Sequence, residues 1–287
     1  MIQGYYHIYS YGEDTPRLIR NERSFIVAVN LLAYCSTIFE IELIAYAIMN
    51  SHFHAVVRCT GEVAEAFSEK LMKLLVRRSN QNGSEQYSVQ NTSVSAKIIE
   101  DEQQLKRTIC YVIRNPIDAG FKMHPDLYRW SSANLYFRGH SPRGKRLSDY
   151  TVRERRSLCG IRYDLPMDWT IEPDGLIDNS HFVKYALAES LFGGIRAYLA
   201  FLYIKKDDVF EMNRSCSKLA DSGISDIELY TMAEEFSFKT FRKSVTQLGL
   251  KDKLTVAQRM RSSYGAGNKQ LSRLTGIPVN QLDTILT

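Results

Sequence analysis

Hydrophobic positions along the first part of the chain switch between two periods. Around 5–9, 40–48, 52–58 and 94–99 they alternate or bunch in short stretches rich in β-branched and aromatic residues, which predicts strands. Between these stretches the period is helical, over 24–37 and over 62–78, where Val63, Phe67, Leu71 and Leu74 form one stripe. It is helical again over 104–115, with Leu105, Ile109, Val112 and Ile113 at i, i+4, i+7 and i+8. Pro116 disfavours helical geometry at Asn115 and predicts that this helix ends there. The order β-α-β-β-α-β-α predicts an α+β fold. It is a ferredoxin-like antiparallel sheet with helices on one face, its last helix laid over the histidines that the sheet carries.

Two places break the pattern in a chemically informative way. In the run from Ala45 to Arg58, His52 and His54 flank Phe53. Neighbouring side chains on a strand point to opposite faces, so the two imidazoles share one face and the Phe anchors the other. Neutral imidazole is a common ligand for divalent first-row metals, so this face suits a cation held against the sheet. The same spacing also fits two surface histidines on a half-buried strand. The second place is the 104–115 helix, where Tyr111 and Asn115 stand one turn apart on the face opposite the apolar stripe, beside Gln104 and Arg107. An aromatic side chain ordinarily joins the stripe, and this one is turned from it.

Read in order, these segments resemble the single-tyrosine HUH transposases, the insertion-sequence-200-like group that includes the REP-associated tyrosine transposases. Tyr6, His7, Ile8 and Tyr9 look like the opening strand, and Met49 to His54 fits the metal motif of histidine, hydrophobic residue, histidine. Tyr111 to Pro116, followed by Ala119 and Gly120, looks like the catalytic helix, and Tyr128 to Ser132 is similar to the trailing signature. The opening strand continues into Ser10, Tyr11 and Gly12 where the family runs into a basic turn. The resemblance implies His52 and His54 as ligands of Mg²⁺ or Mn²⁺, Asn115 as a further polar ligand and Tyr111 as the nucleophile. It also implies single-stranded DNA as substrate, cleaved beside a hairpin through a 5′-phosphotyrosine. A free phenol ionises only near pH 10, so a cation polarising the phosphate lowers the demand on the tyrosine.

Composition and charge fit a soluble intracellular DNA enzyme, and the resemblance implies the bacterial cytoplasm, associated with the nucleoid. Five scattered cysteines (Cys35, Cys59, Cys110, Cys159 and Cys216) lack metal-ligand spacing and read as thiols of a reducing compartment. No basic-then-apolar leader is recognisable, and the apolar stretches 25–39 and 185–204 hold Asn30, Glu189 and Arg196, so we expect buried helices and no membrane contact. The net charge of +5 divides unevenly, with basic runs at 138–156 and 239–273 around an acidic middle. That division predicts two surfaces facing nucleic acid. With the turn residues around 138–145 and the nuclease domain that the resemblance implies over 1–137, it suggests a domain plan that continues with a basic linker over 138–156, a helical accessory domain over 157–235 and a helical DNA-binding region over 236–287.

Within the last region, 268–286 resembles a helix-turn-helix. Leu271, Leu274, Ile277, Leu282 and Ile285 would form its core, with Gly276 in the turn and Pro278 opening the second helix. Lys269, Asn280, Gln281 and Thr284 are then candidates for contact with double-stranded DNA or a hairpin stem. On the 62–78 helix, Lys70, Lys73, Arg77 and Arg78 are available for DNA outside the stripe, and Arg107 is a further candidate beside the tyrosine. The chain is expected to act as a monomer or homodimer. A second reading is a DNA-binding regulator of the same fold that no longer transposes. Retention of His52, His54, Tyr111 and Asn115 together speaks against it, since binding alone requires none of them. A third, an RNA-binding module, lacks the aromatic-rich strand that stacks bases in such domains.

Overall fold

The computed structural model describes residues 3–15, 17–82, 86–121, 123–203, 226–264 and 266–285. Strand β1 (Gly4–Ser10) is followed by α1 (Glu22–Ile38), β2 (Glu42–Ile48), β3 (Phe53–Cys59), α2 (Gly61–Asn82), β4 (Val94–Ile99) and α3 (Glu102–Asp118). The strands form one antiparallel sheet in the order β2-β3-β1-β4, which is the ferredoxin-like arrangement. Alternation within β3 sends Phe53, Ala55 and Val57 into the core under α1 and α2, and sends Val56 to the face that α3 covers. A bulge in β2 at Ile44 lets Ile44 and Ala45 both face α3. Contrary to the expectation of helices on one face, two helices cover one face of the sheet and the third covers the other, because Ile44, Ala45, Ala47 and Val56 give the sheet a second apolar face.

Helix α1 starts at Asn21, whose side chain accepts the amide of Ser24, and α3 starts at Asp101, which accepts the amide of Gln104. Contrary to expectation, α3 does not stop at Asn115. It runs to Asp118 with Pro116 inside it. The proline sits in the last turn, where only the bond to the Val112 carbonyl is lost, and its ring is buried.

The open edge of β2 is covered by the segment after α3. Ala47 pairs with Ser131, the Ile48 amide donates to the Trp130 carbonyl, and the Ser132 amide donates to the Tyr46 carbonyl. Tyr128 and Tyr136 donate their hydroxyls to the Ile48 and Ile44 carbonyls. The Tyr128–Ser132 signature thus serves the sheet, blunting an edge that would otherwise present unpaired backbone.

Residues 147–183, expected as the end of a linker and the start of a helical unit, pack into the same core as α1. They follow β5 (Lys145–Arg146), include α4 (Val152–Cys159) and β6 (Thr170–Ile171), and bury Leu147, Cys159, Ile161, Ile171 and Ile177 against it. Asn30, fully buried in α1, donates to the Cys159 and Gly175 carbonyls and accepts from the Ile177 amide. The buried helix expected over the apolar stretch 185–204 is two helices, α5 (Tyr185–Phe192) and α6 (Ile195–Leu202). Gly193 and Gly194, at φ 68° and 157°, break it. Both helices lie on α3, which explains why Cys110 is buried although it is outside the apolar stripe.

The C-terminal helices α7 (Asp226–Phe241), α8 (Leu250–Tyr264), α9 (Asn268–Thr275) and α10 (Val279–Ile285) form a separate core. Leu271, Leu274, Ile277 and Leu282 lie in it, and Gly276 at φ 72° ends α9. The Ile285 side chain lies outside the described residues, as does Cys216. The other four cysteines are buried free thiols. Among the described residues no helix is long and apolar enough to cross a membrane.

Candidate active site

Central strands β1 and β3 place Tyr9 opposite His54 and His7 opposite Val56. His7 and Tyr9 therefore share with His54 the sheet face beneath α3. The His54 side chain is 1 % exposed and His7 5 %. His7 Nε2 and His54 Nδ1 are 3.1 Å apart, with the rings stacked at 5.3 Å. His52 precedes β3 and is half-buried, its ring edge-on to His54 with centroids at 5.2 Å.

Helix α3 brings Tyr111 over this face. Its ring meets His54 edge-on at 5.5 Å and 84°, and meets His7 at 5.8 Å and 82°. Asn115, one turn on, is buried, and its Oδ1 stands 3.2 Å from His52 Nε2. The polar side of α3 thus faces the sheet histidines, and Tyr111 is half-buried there.

Burial and the nearby Lys97 push His7 down to about 3. Burial, then His52 and His7, holds His54 well below the ordinary histidine value. Both are neutral imidazoles at physiological pH, the form that ligates metal. The backbone around His52 is equally specific. Ser51 Oγ lies 2.8 Å from His52 Nδ1, and the Ser51 carbonyl accepts the Thr15 hydroxyl at 2.8 Å. Gly12 packs against this pair, and a Cβ there would come within 2.7 Å of Ser51 Oγ and 3.0 Å of His52 Nδ1.

These donors fit a divalent ion. His52 Nε2 and Asn115 Oδ1 have roughly the 3 Å spacing of neighbouring ligands around a six-coordinate ion with bonds of about 2.1 Å. His54 has Nδ1 engaged by His7, so Nε2 is the nitrogen that would meet an ion. The set is two imidazoles and an amide; among the described residues no group of three His, Cys, Asp or Glu side chains is arranged to hold a metal.

Other sequence candidates lie elsewhere. Lys70, Lys73, Arg77 and Arg78 are on α2, on the opposite face of the sheet from Tyr111. Lys73 pairs with Glu69 at 2.9 Å. Arg78 does not stand free in solvent as expected; it is half-buried, with Nε lacking a hydrogen-bond partner, because α2 is packed beyond its apolar stripe there. Arg107 is exposed on α3 one turn before Tyr111. Asn280, Gln281 and Thr284 are exposed on α10 and Lys269 is half-buried on α9, all in the separate C-terminal core. Sequence reasoning did not single out His7, Ser51 or Gly12. The alternation of Tyr6, His7, Ile8 and Tyr9 puts His7 on a face, but only the pairing of β1 with β3 shows that this is the face of His54.

No family profile and no curated protein matches this chain. Among solved structures, it is similar to a REP-associated tyrosine transposase bound to a REP hairpin, with 14 % identity and a TM-score of 0.36. That match covers 59 % of this chain and 93 % of the other. A likeness of that size leaves the reading of the site to its own side chains.

Proposed function

We propose that the protein is a metal-dependent endonuclease and strand transferase for single-stranded DNA, a transposase acting beside a hairpin with Tyr111 as nucleophile. The observation that carries this reading is the meeting of Tyr111 with His54 while Asn115, one turn on, meets His52 at 3.2 Å. His52, His54 and Asn115 would hold Mg²⁺ or Mn²⁺, a mixed nitrogen and oxygen set suited to a divalent ion. When bound, that ion supplies Lewis-acid polarisation of the scissile phosphate. The Tyr111 oxygen attacks phosphorus and gives up its proton, the bond to the 3′ oxygen breaks, and that oxygen takes a proton to become a 3′-hydroxyl. The 5′ phosphate stays on Tyr111 as an ester, so attack by another 3′-hydroxyl rejoins DNA without an external energy source. The stacked His7–His54 pair backs the phenol ring from the sheet side and excludes water there.

A labelled single-stranded oligonucleotide carrying a hairpin, incubated with the protein and Mn²⁺, should yield a protein–DNA band that survives denaturation. Tyr111→Phe keeps the ring and removes the oxygen, so the band should vanish while DNA binding persists. An adduct mapped to another tyrosine would refute the assignment. DNA binding by the wild type with no adduct on any strand would favour the non-transposing regulator.

A further inference from the structure

We propose that His7 is a positioning residue for His54: its Nε2 accepts the proton of His54 Nδ1 and so keeps Nε2 of His54 unprotonated. This rests on the reading of His54 as a metal ligand. A neutral imidazole carries one N–H and one lone pair, so the 3.1 Å contact between His7 Nε2 and His54 Nδ1 allows two assignments. If His7 donates, the proton of His54 sits on Nε2 and no lone pair is left for an ion. If His54 donates, Nε2 has the lone pair, and His7 carries its own proton on Nδ1. Only the second arrangement makes His54 a ligand, and a ligand histidine characteristically donates through its other nitrogen to a fixed acceptor.

The surroundings make this acceptor a fixed one. His7 and His54 lie diagonally on neighbouring strands, facing the same side, with Tyr9 as the direct partner of His54. The rings are nearly parallel, at 19°, and Tyr111 closes on both edge-on. Lys97, opposite His7 on β4, adds a positive charge near it. Ser51 stands at Nδ1 of His52 in the same way. Both motif histidines are thus gripped at Nδ1 from the protein side.

The test uses the full-length chain and Mn²⁺ alone, titrated by calorimetry without DNA. His7→Phe keeps a stacked ring but offers no acceptor, and should weaken Mn²⁺ binding about 10–100-fold. His7→Gln places an amide oxygen near the lost nitrogen and should restore most of that affinity. Wild-type affinity in His7→Phe, or a His7→Gln protein as weak as a well-folded His7→Phe, would overturn the proposal. Should His7→Phe fail to fold, nitrogen-15 spectra of the wild-type imidazoles decide: the proton of His54 is expected on Nδ1, and finding it on Nε2 would overturn the assignment. His54→Ala separates the two levels. If it leaves Mn²⁺ affinity unchanged, the metal reading itself fails; if it abolishes binding while His7→Phe does not, only the role of His7 falls.

Discussion

Oδ1 of Asn115 lies 3.2 Å from Nε2 of His52, joining residues 63 positions apart across the gap between α3 and the start of β3. A polar atom from each element meets the other directly. On the proposed reading, His52→Ala should abolish divalent-ion-dependent cleavage while unfolding stays cooperative, because His52 is only half-buried. His54→Ala should do the same and also lower the melting temperature by several degrees, since it empties a fully buried position. Asn115→Ala should cost less activity than either histidine variant. Full cleavage by either histidine variant would end the metal assignment.

Gly12 is held to a hydrogen side chain by contact rather than by backbone angle. Gly12→Ala should displace Ser51 Oγ from His52 Nδ1, and Mn²⁺ affinity should drop about tenfold, within the range seen when the partners behind metal ligands are lost. Titration calorimetry against wild type checks this. Unchanged affinity would mean that Ser51 does not orient His52.

Acid should destabilise the metal-free protein through the buried histidines. In the unfolded chain each ionises near 6.5, whereas the folded value is about 3 for His7 and well below 6.5 for His54. Their contribution is complete above pH 6.5 and is lost as pH falls toward the folded values. The slope approaches about 1.4 kcal/mol per pH unit for each group. Urea unfolding in EDTA at pH 7.5, 6 and 5 measures it, and His7→Phe should flatten the dependence. A stability indifferent to pH over that window would contradict the burial of a neutral pair.

Asn30→Leu should destabilise the fold by roughly 3 kcal/mol. It strands two carbonyls and one amide of the 159–177 segment, each unmet buried group costing about 1–3 kcal/mol and partial relaxation recovering some of it. Denaturant titration reads the shift. A loss below about 0.5 kcal/mol, the level of an ordinary surface change, would show that this segment is not part of the first core.

Affinity for a hairpin-bearing strand should fall steeply with salt, as each neutralised phosphate releases condensed counterions. Joint alanine substitution of Lys269, Asn280, Gln281 and Thr284 should weaken that binding while sparing cleavage of a short unstructured strand at saturation. Alanines at Lys70, Lys73 and Arg77, on the far side of the sheet from Tyr111, should act on binding and leave the cleavage step alone. Filter binding and gel assays separate the two effects. Equal losses on both strands from the α9–α10 variant would assign those helices to support of the fold.

The chain's local pattern determined a good deal of this. The two hydrophobic periods fixed the seven elements of the sandwich, because amphipathic faces repeat at spacings that neighbouring residues alone define. They also put His52 and His54 on one side of a strand and Tyr111 and Asn115 one turn apart on a helix. Tertiary structure decided what those faces meet. Insertion of β1 between β3 and β4 set His7 beside His54, 47 positions away, and no spacing rule within β1 or β3 encodes that pairing. The packing of 147–183 on α1 and of α5 and α6 on α3 was hidden for the same reason. Asn30 and Cys110 read locally as a polar interruption and a stray thiol, and both are buried because distant segments cover them. Pro116 shows the balance most simply: its local preference ends a helix, and burial of its ring at the price of one backbone bond carries α3 through to Asp118.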